Sequence, residues 1–407
     1  MSDADQAGEV EQRLGAEEVA RRLGVKRETV YAYVSRGLLA RDPASAPHDS
    51  RFDPAEVERL AARARRPDRS SALEVVVETE LTLLDPAGRL SYRGRDAIEL
   101  ARFRSFEEVV GLLWDGAPAA PWQLDHERAA AVTSVGDALG PEAPDAERIA
   151  AVVTTLAALD LERDSRNPTS VRRAGADVFA AILVDLSSRT EEGKLHSTFA
   201  EGLWRALAED PGARRRAEQV SGLGAALILL ADHELAASTF AARVAASAWA
   251  GPYRVILAGL GPLGGALHGG AGLTTEALLD DVIAGADPGA ALDALIAAGP
   301  VPGFGHRVYR DRDPRADHLL ARLGSEPSAD ALLAAAATRG LPAPNVDFAL
   351  AALVKAYGLR PGSAATIFTV ARIAGIVAHA LEEYEHRLRF RPRASYVGPA
   401  PPASGAG

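Results

Sequence analysis

"VPGFGHRVYRDRDPRADHL", residues 301–319, sets one histidine between glycines and follows it with a run of arginines and aspartates. The stretch has neither the apolar period of a helix face nor the alternation of a half-buried strand. It reads as a loop, and it raises the question of which chemistry needs a histidine on a flexible segment with arginines just downstream.

The rest of the chain narrows the answer. At 407 residues it is too long for one ordinary core, so two or three domains are expected. A composition of 47% hydrophobic and 25% charged residues is that of a globular protein, and a net charge of −10 disfavours coating nucleic acid along the whole length. The absence of cysteine excludes disulfides, thiolate metal sites and cysteine nucleophiles, and suits a reducing cytoplasm. The opening MSDADQAGEVEQ has no basic or apolar signal region. Apolar runs such as LGAALILLA (223–231) fall short of the roughly 18 residues of a span, so no membrane partner is expected.

Residues 1–12 read as a flexible tail, 13–66 as a compact helical module and "RRPDRSS" (65–71) as a charged linker, 67–71 at its narrowest. From 72 to about 398 the text is alanine-rich, with Leu, Ala and Val at three- and four-residue spacing. The fold class expected is all-α, with strands only near 73–84 and 89–92. The tail 399–407 is rich in Pro, Gly and Ser and is expected to be disordered.

"LGAEEVARRLGVKRETVYAYVSRGLL" (14–39) predicts two short helices around a tight turn. Ala16 to Leu23 forms the first, with Val19, Ala20 and Leu23 on one face, and Gly24 stops it. Lys26, Arg27 and Glu28 begin the second. Val30 and Val34 point inward, and Thr29, Tyr31 and Tyr33 are more exposed. This is the helix-turn-helix pattern, followed by a turn and another helix over 48–66, and the whole resembles the N-terminal domain of MerR-like regulators. Residues 12–70 hold 13 basic and 9 acidic residues, the direction DNA binding requires. Lys26, Arg27, Thr29 and Tyr31 are the candidate DNA contacts.

"YRVILAGLGPLGG" (253–265) contains G-x-G-x-x-G but is no dinucleotide site. Pro262 removes an N–H after the second glycine, and no strand–helix series surrounds it. "HELAA" (233–237) lacks the second histidine of a zinc helix, so no metal is expected.

Four scattered pieces remain. His233 lies beside an acid in "LLADHELAASTF" (229–240), and His268 and His306 lie among glycines in "GALHGGAG" (265–272) and "GFGHRVY" (303–309). In "APNVDFALAAL" (343–353), Asn345 can cap a helix whose first turn holds Asp347. That position suits either an acid answering the helix dipole or an ionised base. In "TIFTVARIAGIVAHALEEYEHRLRFRPRASYVGP" (366–399), Arg372 sits mid-face on an apolar helix that leads to "RPR" at 391–393.

In order and spacing these pieces resemble the citrate synthase family over roughly 72–398. The match includes the His-Gly-Gly loop, the G-[FY]-G-H-x-V-x4-D-P-R loop, here "GFGHRVYRDRDPR", the N-V-D helix start and the final R-P-[RK]. The segment 82–116, with its Y-R-G, resembles the family's opening. The resemblance implies a large helical domain (72–272 and 355–398) carrying a small mobile one (273–354). It also implies an enzyme that joins an acyl-CoA to a 2-oxo acid such as oxaloacetate. No cofactor is bound permanently; the coenzyme A thioester is a substrate.

Asp347 matches the base, His268 the donor to the thioester oxygen and His306 the donor to the ketone oxygen. Arg315, Arg372 and Arg391 match the carboxylate clamps, with His233 beside them. Arg391 acts from the neighbouring subunit of a homodimer, and Arg310 lies where the family contacts coenzyme A. On that basis the opening loop needs glycines to move, a histidine to polarise a carbonyl and an arginine to hold an acid. The chain departs from many relatives at Ala236 and Gly272, where they have asparagine, and in its DNA-binding-type head. The alternative is a DNA-binding regulator whose synthase-like body senses a metabolite.

Overall fold

The structure is a computed structural model. It describes residues 13–23, 25, 27–35, 39–42, 45, 50–54, 57, 76–85, 88–117, 121–188, 197–210, 215–265 and 271–392. The expected tails 1–12 and 399–407, the linker 67–71, Gly24, Lys26 and His268 lie outside them. Internal contacts divide the chain into two compact units, Met1–Glu78 and Thr79–Gly407.

In the first unit β1 (Leu14–Gly15) leads into α1 (Ala16–Leu23) and α2 (Arg27–Ser35) follows. β2 (Arg51–Phe52) pairs antiparallel with β1, Leu14 opposite Phe52. Glu17 and Glu18 open α1 and Arg21 and Arg22 close it, in keeping with the helix dipole. Val19, Val30, Leu39, Phe52 and Val57 form a small buried core, which α1 meets with the face expected of it. Tyr33 departs from expectation: it packs against that core instead of lying outside. Thr29 is half-buried, while Arg27 and Tyr31 are exposed.

The second unit opens with a three-stranded antiparallel sheet, β3 (Thr82–Asp85), β4 (Arg89–Tyr92) and β5 (Arg95–Asp96). Of the strand expected over 73–84, residues 73–75 lie outside the described ones, and among those described only Thr82–Asp85 finds a partner, Thr82 facing Tyr92 and Asp85 facing Arg89. Helices follow: α3 (Ala97–Phe103), α4 (Phe106–Leu113), α5 (His126–Leu139), α6 (Asp145–Leu159), α7 (Pro168–Ser187) and α8 (Phe199–Leu207). They continue with α9 (Arg216–Leu230), α10 (Ala237–Ser247), α11 (Pro252–Leu263), α12 (Ala271–Ile283) and α13 (Pro288–Ala298). Last come α14 (Pro314–Leu323), α15 (Pro327–Thr338), α16 (Val346–Tyr357) and α17 (Ser363–Glu383). The fold is mostly helical.

One apolar core runs through this unit, and α17 is its axis, packed against α7, α9, α10, α11, α12 and α16. By length and composition α17 is apolar enough to cross a membrane. Burial decides its nature: 89% of its apolar stretch lies inside the protein, as in a core helix. The apolar run of the rejected dinucleotide motif is α11 itself, with Gly259 and Gly261 inside the helix, so no strand precedes the glycines.

Candidate active site

The loop that bears His306 is built by its glycines. Gly303 and Gly305 have φ of 86° and 76°, a region that L side chains rarely adopt. A Cβ on Gly303 would stand 3.1 Å from the Thr275 side chain and 3.3 Å from Phe348 Cβ, tighter than an ordinary contact, so a side chain there would press on both besides straining the backbone. The loop is zipped to the segment before α16. Gly305 N donates to Ala343 O (2.8 Å), and Asn345 N donates to Gly303 O (2.9 Å). Asn345 Nδ2 donates to Gly305 O (2.9 Å). The other end of that amide caps α16, accepting from Asp347 N (3.0 Å) and Phe348 N (3.4 Å). One asparagine thus sets both the loop and the first turn that presents Asp347.

Asp313 makes the second tie. It caps α14 by accepting from Arg315 N (3.0 Å), accepts from Val346 N of α16 (3.0 Å) and forks the Arg315 guanidinium at 2.9 and 2.8 Å. Arg315 is buried. The fork places Arg315 Nη2 3.3 Å from His306 Nε2. His306 Nδ1 accepts from Val308 N (3.0 Å) and Tyr309 N (3.2 Å), so Nε2 is the nitrogen that carries the proton. Burial, and then the Arg315 charge, push the His306 pKa down to about 4, against Asp313. The ring is neutral at pH 7.

His233 comes to the same place from the turn between α9 and α10. Its ring is 5.2 Å from that of His306 at 78°. Its Nε2 lies 3.3 Å from the hydroxyl of Tyr309, whose ring is 4.7 Å from His306. Sequence reading missed Tyr309. Its only signal was its place three residues after His306, and a tyrosine there reads equally as core. Burial pushes its pKa up to about 12.

No described residue donates a hydrogen bond to the Asp347 carboxyl. The side chain keeps some contact with solvent but is densely surrounded, and burial pushes its pKa up to about 6. Arg315 and Arg372 pull it down and Asp313 pushes it up, so both guanidinium groups lie within electrostatic reach. Arg372 is buried on α17. Its Nε donates to Leu230 O (3.1 Å), its plane lies 5.0 Å from the Phe368 ring, and its Nη1 has no hydrogen-bond partner among the described residues. A buried guanidinium with an unmet donor calls for an anion.

The structure therefore brings His233, His306, Arg315, Arg372 and Asp347 together. It leaves Arg310 and Arg391 exposed, and neither has a described contact with those five residues. At the two departures from the relatives, Ala236 caps α10 without a side-chain hydrogen bond. A Cβ on Gly272 would lie 3.5 Å from Ala364 Cβ, an ordinary contact with the start of α17.

The family model for the citrate synthase C-terminal domain matches residues 72–393. Citrate synthase of Haloferax volcanii is 33% identical over 80% of this chain and 94% of its own length. 2-Methylcitrate synthase of Mycobacterium tuberculosis is 30% identical over 82% and 91%. Among solved structures, citrate synthase from Thermoplasma acidophilum in a ternary complex with carboxymethyl coenzyme A and oxaloacetate superposes with a TM-score of 0.66. It is 26% identical and covers 81% of this chain and 95% of its own. Such relatives define an enzyme class that transfers an acyl group from a coenzyme A thioester and needs no permanently bound cofactor. The chain belongs to the citrate synthase family.

Proposed function

We propose that this chain condenses an acyl-CoA with oxaloacetate. Acetyl-CoA, oxaloacetate and water give citrate and coenzyme A; propionyl-CoA in place of acetyl-CoA gives 2-methylcitrate. The observation that carries the reading is the meeting of Arg315, Arg372 and the neutral His306 beside a carboxyl to which no described residue donates. Two guanidinium groups answer the two carboxylates of oxaloacetate, and His233 adds a donor. His306 Nε2–H donates to the ketone oxygen and makes its carbon electrophilic.

A thioester's α-carbon is a weak acid, so the enolate must be stabilised as the proton leaves. Asp347 takes that proton. With its pKa near 6 it is ionised at pH 7 yet basic enough to share in the transfer. His268 holds the enolate oxygen. The enolate carbon attacks the ketone carbon, and water then splits the thioester of the adduct to release coenzyme A. A cavity of about 540 Å³ lined by Phe304, Leu320, Leu333, Pro342 and Pro344, and also by Arg312 and Asp317, adjoins the zipped loops and suits the largely apolar arm of the thioester, with Arg310 nearby in sequence for a phosphate.

The small domain (273–354) closes on the large one (72–272 and 355–398), excluding water until the adduct exists. The exposure of Arg391 suits a clamp that serves the neighbouring subunit of a homodimer. The setting is the cytoplasm, without a membrane partner. Thiol release from acetyl-CoA and propionyl-CoA with oxaloacetate tests the reading, with Asp347→Ala as control. No turnover with either thioester refutes the enzyme, and activity surviving in Asp347→Ala refutes the base. The purely regulatory alternative finds no support in the relatives.

For the N-terminal unit the reading is a helix-turn-helix domain that binds DNA through Lys26, Arg27, Thr29 and Tyr31. The exposed Arg27 and Tyr31 on α2 support it. Salt-sensitive binding to promoter DNA, weakened by Arg27→Ala, is the test. Among its described members, half-buried Thr29 is the least accessible.

A further inference from the structure

Arg372, Gly375, His379 and Glu383 recur at three- and four-residue spacing, so they form one stripe along α17. That stripe grips the turn before α10 residue by residue. Arg372 Nε donates to Leu230 O (3.1 Å), Gly375 N to Ala231 O (2.9 Å), and His379 Nε2 lies 3.3 Å from Asp232 Oδ2. Gly375 permits the approach, since a Cβ there would collide with the Asp232 carboxylate and the Ala231 carbonyl.

The polarity of the contact is settled from behind. His379 Nδ1 lies 2.7 Å from Arg243 Nη1, and a guanidinium only donates. Nδ1 is therefore the acceptor, and Nε2 presents its N–H to Asp232. Arg243 in turn is held by Glu382 (2.5 Å) and Glu383 (2.8 Å). Asp232, His379, Arg243 and Glu383 are all fully buried.

Asp232 Oδ2 also accepts from Thr82 Oγ1 (2.6 Å) and from Glu234 N (3.1 Å). The last bond closes a turn in which Glu234 has φ of 54°, strained for a residue with a side chain. His233 is the residue between. We propose that His379 is a positioning residue: it fixes the Asp232 carboxylate that folds this turn, and so aims His233 at the 2-oxo acid. The proposal rests on the reading of the site as an oxaloacetate–acyl-CoA condensing centre.

The test is a KM split in the full chain. His379→Leu should raise the KM for oxaloacetate at least tenfold while the KM for acetyl-CoA stays within twofold. His379→Gln, whose amide keeps a donor and an acceptor, should recover most of the loss. A residue that only packs would reduce the folded fraction, lowering apparent kcat and leaving both KM values alone. Unmoved KM values, or both moving together, overturn the proposal while the wild-type activity stands. Should His379→Leu not fold, Thr82→Val decides, with an oxaloacetate KM raised at least threefold expected and an unchanged one overturning the idea. A wild-type chain without turnover overturns the enzyme reading and this proposal with it.

Discussion

Arg315 Nη2 and His306 Nε2 stand 3.3 Å apart, and both are donors. His306 gives its acceptor nitrogen to the backbone of Val308 and Tyr309, so it has nothing to offer the guanidinium. Two donors held side by side both point to an acceptor between them, and the Asp313 fork keeps Arg315 from swinging away. Losing either partner should change what the other does.

The neutral state of His306 has a measurable consequence. Its pKa falls to about 4 in the folded chain, against about 6.5 unfolded. A depressed value means that its contribution to stability is present above pH 6.5 and is lost as pH falls from 6.5 through 4. Compared with His306→Gln, the wild type should lose about 2 to 3 kcal/mol more over that window in urea unfolding. Equal slopes would show that the ring titrates normally.

Asp347 carries the opposite sign. Its pKa near 6 lies above the ordinary 3.8, so its ionisation penalises the fold as pH rises through that range. Asp347→Asn should stabilise the protein by about 2 to 3 kcal/mol at pH 8 and leave it unchanged below pH 3.8. The same substitution should cut thiol release by about 100-fold or more, the scale of a lost general base.

Wild-type kcat/KM should rise with pH through about 6 as that carboxyl ionises, then level off. A profile flat between pH 5 and 7 would remove Asp347 from the role of base.

Arg372 bears a buried charge with an unmet Nη1. Arg372→Met should leave thermal stability level or higher, since a desolvated charge that Asp232 and Asp347 offset only in part is replaced by an apolar chain of similar length. The oxaloacetate KM should rise about 100-fold, the worth of two charge-assisted hydrogen bonds of about 1.5 kcal/mol each. A stability loss with unchanged KM would make Arg372 a structural residue.

Ala236 begins α10 with φ −55° and ψ 158° and offers no side-chain acceptor. Ala236→Asn should add about 1 kcal/mol by capping that helix, read as a shift of the unfolding midpoint. The asparagine also lies three residues from His233, so the kinetics with oxaloacetate should be followed in the same variant.

Much of this protein is local and was readable as text. Asn345 caps α16 and puts Asp347 in its first turn because a cap reaches only two or three residues. The face of α1 follows from the period of its apolar residues. His233, His306, Arg372 and Asp347 were visible as chemically odd residues in legible settings, and Arg315 was reached through the family resemblance. What folding alone decided were pairings between distant positions. Tyr309 reaches His233 across 76 residues, Thr82 reaches Asp232 across 150 and His379 reaches it across 147. Strand β3 is where a partner lies and not where β-branched residues are densest. A buried polar group is satisfied by whatever packing brings beside it, and no stretch of sequence carries that information until the core has formed.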